Sequence, residues 1–452
     1  MYSIESLIKK YNIPAPRYTS YPTVPLWQND LNHGNWEILV KKAFQDFGDK
    51  EGLSLYIHLP FCESLCIYCG CNKRITKNHA VETPYCDTII SEWDIYMNLF
   101  RQKPKLASIH LGGGTPTFFS PETLKTLMAY ILERAELMDD AELSFEGHPN
   151  NTTQKHLEAL FEMGFKRVSY GIQDFNPEVQ KAIHRIQPFE KVKEATLNAR
   201  MIGYDSVNFD LIYGLPFQTI DSITDTFEKV SMLNPDRIAF YSYAHLPSVF
   251  PAQKSYEMHL PTEAEKRKLY EKGREILATM GYIEIGMDHF ALPTDPLSKA
   301  KKDKTLHRNF MGYTTSPSKL LIGLGNSAIS DIHYAYKQNA KDVKIYQQQI
   351  ENKLLTASKS HLMSVKDIQN RDIILSLICN QKVSWNRSFL QHINKVNLSK
   401  LNTFQSEGLI KFNSNGLKVL PKGQPFLRNI CTIFDERMQD NEAKLFSFSK
   451  AI

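Results

Sequence analysis

The sequence predicts an α/β protein built on an open or partial barrel of six βα units, and three observations carry that prediction. Short apolar, β-branched or aromatic runs recur between residues 54 and 247, with stretches of helical periodicity between them. Several of these runs end in Gly or Pro, as strands entering a loop often do. The chain's unusual residues gather at the carboxyl ends of the runs, where barrels and open α/β sheets place their chemistry. Six units are fewer than the eight of a closed barrel, and a doubly wound sheet is the competing architecture.

Taken in order, the strand candidates are SLYIHLP (54–60), LASIHLGGG (106–114), AELSFEGHP (141–149), RVSYGIQ (167–173), SVNFDLIYGLP (206–216) and RIAFYSYAHLP (237–247). Helical periodicity covers 122–138, 154–165 and 177–202. SPET at 120–123 and NTTQ at 151–154 are helix-start signals. Strands separated by helices run parallel, joined by right-handed crossovers. Their carboxyl ends carry a cysteine cluster, GGGT (112–115), Glu146, Gln173, Asp210 and the AHL of 244–246. After about residue 350 the character changes. Residues 364–408 read as short helices, and LIKFNSNGLKVLPKG (409–423) reads as a hairpin turning at Asn415–Gly416, a combination that resembles a winged-helix module. The expected division is an arm over 1–50, the barrel and its extension over 51–350, and a smaller, mainly helical domain over 351–452.

Composition narrows the class. The chain has 452 residues, 42% hydrophobic and 23% charged, with a net charge of +5. That is a globular composition with a mild positive balance, suited to an acidic small molecule and no argument for nucleic acid. The hairpin LIKFNSNGLKV holds two lysines and no arginine, a poor surface for gripping phosphates. No apolar run approaches a membrane span, and MYSIESLIKKYNIPAPRYTS lacks the apolar region of a signal peptide, so a cytoplasmic address is expected. GLGNS (323–327) has the glycines of a phosphate loop but no lysine after it.

Four of the seven cysteines, Cys62, Cys66, Cys69 and Cys71, lie within ten residues, spaced C-x3-C-x2-C-x-C. In a reducing compartment such clusters bind metal more often than they form disulfides. Three thiolates on one loop can hold three corners of a cubane iron–sulfur cluster and leave the fourth iron open. Zinc is the rival, with His58 or His79 completing a Cys3His set, because no second C-x2-C follows. Cys86, Cys379 and Cys431 sit in apolar, helical surroundings and read as core.

C-x3-C-x2-C directly after a strand, with aromatic Tyr68 before the third cysteine and GGGTPT one strand later, resembles the radical S-adenosylmethionine (SAM) enzymes. The resemblance extends through LYIHLPFCESLCIYCGCNK, YGIQDFNPEVQKAIHRIQ, FDLIYGLPFQT, FYSYAHLP, GMDHFALP, LHRNFMGYTT and GLGNSAIS, in order, to the oxygen-independent coproporphyrinogen III oxidases. RYTSYPT (17–23), FLRNICTIFD and the ending FSKAI continue it, so it spans essentially the whole chain. Heme chaperones of the same superfamily are the alternative. They generally lack the fourth cysteine, the arm and the longer tail.

The resemblance implies a partial radical-SAM barrel holding a 4Fe–4S cluster on Cys62, Cys66 and Cys69, with SAM on the fourth iron. It matches Tyr56, Gly113, Glu146 and Ile329 to a first SAM site, and Tyr68, Gly114, Thr115, Gln173, Arg185, Asp210 and Ala244 to a second. Cys71 matches a position that is not a ligand and is the catalytic candidate near the substrate, with a packed loop thiol as the plainer reading. The implied substrate is coproporphyrinogen III, an anionic molecule, for which Lys301, Lys302, Lys304, His307 and Arg308 are cationic candidates; a solvated loop is the plainer reading of the three lysines. An electron donor such as flavodoxin or ferredoxin, an unidentified terminal electron acceptor and a monomeric state are also implied. The chain departs from the family pattern at Gly147, His148, Tyr68 and Ile186, changes expected to alter how tightly SAM is held.

Overall fold

A computed structural model of the protein describes residues 3–385 and 394–439, together with Phe448 and Lys450. They form two compact units. One comprises Asn29–Asp295 with Ser316–Ser360, and the other Met1–Gln28, Pro296–Thr315 and His361–Ile452. These boundaries differ from the sequence division at 50 and 350, because three separated stretches pack as the second unit.

In the first unit six strands lie side by side in chain order: β1 (Leu53–Leu59), β2 (Lys105–Gly113), β3 (Glu136–Gly147), β4 (Arg167–Gln173), β5 (Ser206–Tyr213) and β6 (Arg237–Ser242). Each neighbouring pair is parallel. The helices that return the chain are α1 (Glu82–Phe100), α2 (Pro121–Glu133), α3 (Gln154–Glu162), α4 (Phe189–Ile202) and α5 (Ile220–Leu233). A seventh parallel strand, β7 (Leu321–Leu324), pairs with the free side of β1. It had no place in the sequence count because it is four residues long and stands far from the βα repeat. Antiparallel strands border the array: Ile329–Asp331 and Ala335–Gln338 beyond β7, His289–Ala291 and Ile283–Gly286 beyond β6.

Burial explains the strand runs. Leu55, Ile57, Ile109, Leu111, Phe145, Val207 and Phe209 are fully buried, packed in one core with Ile89, Trp93 and Tyr96 of α1. Parallel strands covered by helices read as near-continuous apolar runs for this reason.

The helix read over 122–138 ends at Glu133, and Glu136 and Leu137 already pair with Lys105 and Leu106. AELM suits either period, and the partner strand decides. The 177–202 stretch is two helices, Pro177–Ala182 and α4, parted by IHRIQP. Ser120 caps α2 with Pro121 at its first position, while α3 is capped by Thr153, the third residue of NTTQ.

In the second unit, helices Val365–Asn380 and Lys395–Ser406 accompany a hairpin, Ile410–Asn413 with Gly416–Val419, and a third strand, Lys382–Ser384. Asn413 pairs with Gly416, so the turn is Ser414–Asn415, one residue earlier than expected. Part of the expected helical stretch, 386–393, and most of FSKAI lie outside the described residues. Lys301 and Lys302 lie in the last turn of the helix Pro296–Asp303, and Lys304 follows it. His307 and Arg308 lie on a short hairpin, where the Arg308 guanidinium sits 4.7 Å from the Tyr313 ring centre. Cys86, Cys379 and Cys431 are buried free thiols in helices, as expected of core residues. Among the described residues, no helix is long and apolar enough to cross a membrane.

Candidate active site at the carboxyl ends of the parallel strands

A cavity of about 880 Å³ opens at the carboxyl ends of the strands. It is lined by Cys62, Cys66, Tyr68, Cys69, Cys71, Gly113, Gly114, Thr115, Glu146, Gln173, Arg185, Asp210 and Ala244. Of the residues matched to the two SAM sites, Tyr56 and Ile329 are not in its lining, and neither are the cationic candidates Lys301, Lys302, Lys304, His307 and Arg308. Tyr56, half-buried on β1, is stacked on His110 and hydrogen-bonded through its hydroxyl to His58 Nδ1 at 3.0 Å. Ile329 pairs with Gln338 in the antiparallel margin.

The cysteine loop leaves β1 and returns beside itself. Phe61–Cys62 pairs with Arg74–Ile75, closing a neck. Within the loop, the Cys69 N–H donates to the Cys66 carbonyl at 3.1 Å. Cys62 Sγ lies 3.3 Å from Thr115 Oγ1, which ties the loop to the glycine turn. Burial pushes the Cys62 thiol up to about 11. The Cys71 thiol donates to Cys69, which with nearby Lys73 brings Cys69 down to about 6 against the effect of burial. Lys73 Nζ also donates to the Cys69 carbonyl at 2.8 Å.

The glycines are required by contact. A Cβ on Gly114 would lie 2.5 Å from the Pro60 backbone, and one on Gly113 would meet the His58 ring at 2.7 Å. The Gly114 N–H donates to the Leu59 carbonyl and that of Thr115 to the Phe61 carbonyl. Gly113 also has a φ of +117°, open only to glycine at low cost.

The remaining walls come from strand ends. The Gly113 N–H donates to Glu146 Oε2 at 3.2 Å. Asp210 accepts from Asn208 Nδ2 at 2.9 Å and Ser169 Oγ at 3.3 Å; burial, then neighbouring Glu146, holds its carboxyl up to about 6. Gln173 adopts a left-handed φ of 68° at the end of β4, a strained conformation that turns it to the lining. Arg185 is delivered by the break between the two helices. Its Nη2 donates to the Gly171 carbonyl at 2.6 Å, its Nη1 approaches Cys66 Sγ at 3.5 Å, and its buried Nε has no partner. A Cβ on Gly171 would crowd Arg185 Nη2 at 3.0 Å, so this glycine makes room for the guanidinium.

Sequence reasoning passed over other lining residues, among them Lys73, Ser169, Tyr241, Tyr243 and Phe250. Lys73 ends the motif LYIHLPFCESLCIYCGCNK, Tyr241 and Tyr243 stand in FYSYAHLP and Ser169 in RVSYGIQ, so their motifs were the available signal, while Phe250 stands in none. His148, noted as a departure from the family pattern, lines the cavity. Burial and then Arg185 hold it neutral, with its pKa down at about 3.

The donor set fits a cluster better than a zinc ion. His58 Nε2 is engaged by the Asn72 carbonyl at 3.0 Å, and His79 by Glu82 at 2.7 Å. Among the described residues no three His, Cys, Asp or Glu side chains are gathered round one ion position. Thiols that hold separate irons of a cubane stand further apart than ligands of one ion. A buried, unpartnered Arg185 N–H beside the cysteines further suits an anionic ligand.

Residues 56–230 match the family model described as the radical SAM superfamily. The chain is 38% identical over 456 residues to an oxygen-independent coproporphyrinogen III oxidase of Pseudomonas aeruginosa, covering 98% of this chain and 97% of that protein. To the Escherichia coli protein of the same name it is 38% identical over 455 residues, covering 99% and 98%. Among solved structures it is similar to the coproporphyrinogen III oxidase of Escherichia coli, described as a radical SAM enzyme, with a TM-score of 0.88 and 36% identity over 96% of this chain and 98% of that one.

Proposed function

The chain belongs to the oxygen-independent coproporphyrinogen III oxidases of the radical SAM superfamily, and from that premise we propose that it converts two propionates of coproporphyrinogen III to the vinyl groups of protoporphyrinogen IX in anaerobic heme biosynthesis. Each propionate loses one hydrogen atom, CO2 and one further electron. When bound, the 4Fe–4S cluster and SAM supply the low-potential electron and the hydrogen-abstracting carbon centre that an unactivated C–H bond demands.

The assignment of roles to this chain's residues follows from their chemistry. Cys62, Cys66 and Cys69 hold the cluster. The open backbone of Gly113 and Gly114 lets the ligand approach, and Thr115 fixes Cys62. Glu146 and Asp210 accept from an ammonium or from ribose hydroxyls. Arg185 offers a fork of N–H groups to a carboxylate, and Gln173, Tyr68 and Ala244 complete the walls. Tyr56 and Ile329, each half-buried, contribute to the first SAM site. Cys71, hydrogen-bonded to Cys69 and facing the cavity, serves near the substrate. We further place the protein in the cytoplasm as a monomer, reduced by flavodoxin or ferredoxin and discharging its second electron to a separate acceptor.

What supports this reading above all is that residues legible in the sequence, from all six strand ends and from the loop carrying Arg185, line one cavity. The test is anaerobic: reconstituted protein is given SAM, a low-potential reductant and coproporphyrinogen III, and products are read by mass spectrometry. Deoxyadenosine and loss of two CO2, both abolished by Cys66→Ser, are expected. Deoxyadenosine without decarboxylation would overturn the substrate, and a protein that instead retains heme would overturn the enzyme.

A further inference from the structure

GLGNS at 323–327, which resembles a phosphate loop in its glycines, has other partners in the fold. Asn326 is fully buried, and its N–H and both side-chain polar atoms are engaged. Its N–H donates to Tyr85 Oη at 3.0 Å, and its Oδ1 accepts from that hydroxyl at 2.7 Å. Its Nδ2 donates to Asn72 Oδ1 and to the Lys341 carbonyl, each at 2.9 Å. Asn72 directly follows Cys71. Its carbonyl is held in turn by His58 Nε2 at 3.0 Å, and the His58 carbonyl lies 2.9 Å from Tyr85 Oη. One hydroxyl and one amide therefore link β1 before the cysteine loop to the residue after it.

The column is anchored from below. Glu92 of α1, fully buried, accepts from the Gly325 N–H at 2.9 Å, Tyr346 Oη at 2.7 Å and Asn339 Nδ2 at 2.8 Å. Gly325, at φ +96°, allows the approach: a Cβ there would lie 2.6 Å from the His58 carbonyl and 2.8 Å from Tyr85 Oη. Buried networks that satisfy every member fix one arrangement, since any shift strands a polar group.

We propose that Asn326 and Asn72 form a clamp that sets the pose of the cysteine loop, so that GLGNS positions the cluster's seat and binds no phosphate. The proposal rests on the reading of Cys62, Cys66 and Cys69 as cluster ligands. Both asparagines are positioning residues that act through the loop.

Asn72→Ala is the gentle test, because it removes the Oδ1 that accepts from Asn326 and leaves the neck of the loop intact. Iron and sulfide content are measured first, then the electron paramagnetic resonance of the reduced cluster with and without SAM, then KM and kcat for SAM. N72A is expected to load iron like the wild type, to give an altered SAM-induced spectrum, and to raise the SAM KM by about fivefold while kcat changes less. Asn326→Ala is expected to act in the same direction, and the double variant to match N326A alone. A SAM-induced spectrum and KM identical to wild type in N72A would overturn the clamp, as would additive effects in the double variant. The spectra are read without substrate, so failure of the decarboxylation assay and failure of the clamp remain separate results.

Discussion

Asp210 sits on the boundary between two protonation states, and this gives it a readable signature. Burial and Glu146 hold its carboxyl up to about 6, against the donors Asn208 and Ser169. If the ionised form grips a cationic ligand, kcat/KM for SAM should rise with pH through about 6. Asp210→Asn should remove that acid limb while lowering the plateau, and a limb that survives the substitution assigns it elsewhere. His58 titrates in the opposite sense. Burial holds it neutral, with its pKa down at about 4, whereas an unfolded histidine takes its proton near 6.5. The unfolded state then binds more protons between these values, so stability falls as pH drops from about 6.5 towards 4. At pH 5 the loss relative to pH 8 is about 2 kcal/mol from this group. Denaturant midpoints at the two pH values measure it, and a His58→Gln variant with the same pH slope would show that the loss lies elsewhere. These environments were not legible in the sequence. Asp210 could be read as a strand-end acid, but its charge state depends on its burial and then on Glu146, which stands on another strand. Tyr56 was matched to a ligand site by its motif alone, and the motif could not show its ring stacked on His110 or its hydroxyl bonded to His58.

Elements were legible where local pattern and packing agree. The carboxyl ends of β1 to β6 were marked by Gly, Pro or an abrupt polar residue, and the site candidates were found there. The pattern was silent where pairing decides. Glu136–Met138 became strand because β2 was waiting beside it, and β7 was too short to declare itself. The link between Pro177–Ala182 and α4 shows how such a break serves the site. Gln180 Nε2 donates to the carbonyls of Asp174 and Gln187, and Gln180 Oε1 accepts from the Gln187 N–H, so the loop carrying Arg185 is bound to its own helix. The glycine turn offers the sharper experiment. Gly114→Ala must push against the Pro60 backbone, which cannot yield as a side-chain tip would. Overpacking of this kind costs about 1–3 kcal/mol. The expected result is a lowered denaturant midpoint together with poor cluster loading, because Gly114 and Thr115 are laddered onto Leu59 and Phe61 at the root of the cysteine loop. Full loading with unchanged stability would mean that the loop relaxes freely and that the glycine has no steric task.

At the scale of the whole chain, the N-terminal segment belongs with residues far away in sequence, which composition and periodicity cannot reveal. Within the second unit, Glu407 is almost fully buried, and its two oxygens accept from Lys10 Nζ at 2.5 Å and Tyr11 Oη at 2.6 Å. Asp435, fully buried, accepts from Tyr18 Oη at 3.0 Å. Leu7, Tyr18 and Tyr21 are buried as deeply as any core residue. An independent arm would keep its own core, whereas this segment supplies both apolar bulk and the donors for carboxylates near the other end of the chain. Removing residues 1–28 therefore does more than shorten a tail. It leaves Glu407 and Asp435 buried without these donors, and a buried acceptor stripped of its partner typically costs about 1–3 kcal/mol. Two such losses, added to the lost burial of Leu7, Tyr18 and Tyr21, are a large fraction of a domain's whole stability. Hydrogen exchange is expected to show residues 361–439 losing protection in the truncated protein. Tyr11→Phe, which removes one hydroxyl and keeps the ring packed on Phe404 and Phe426, is expected to cost only about 1–2 kcal/mol. Full protection of 361–439 without the first 28 residues would mean that the carboxylates find water or new donors, and that the arm is an appendage after all.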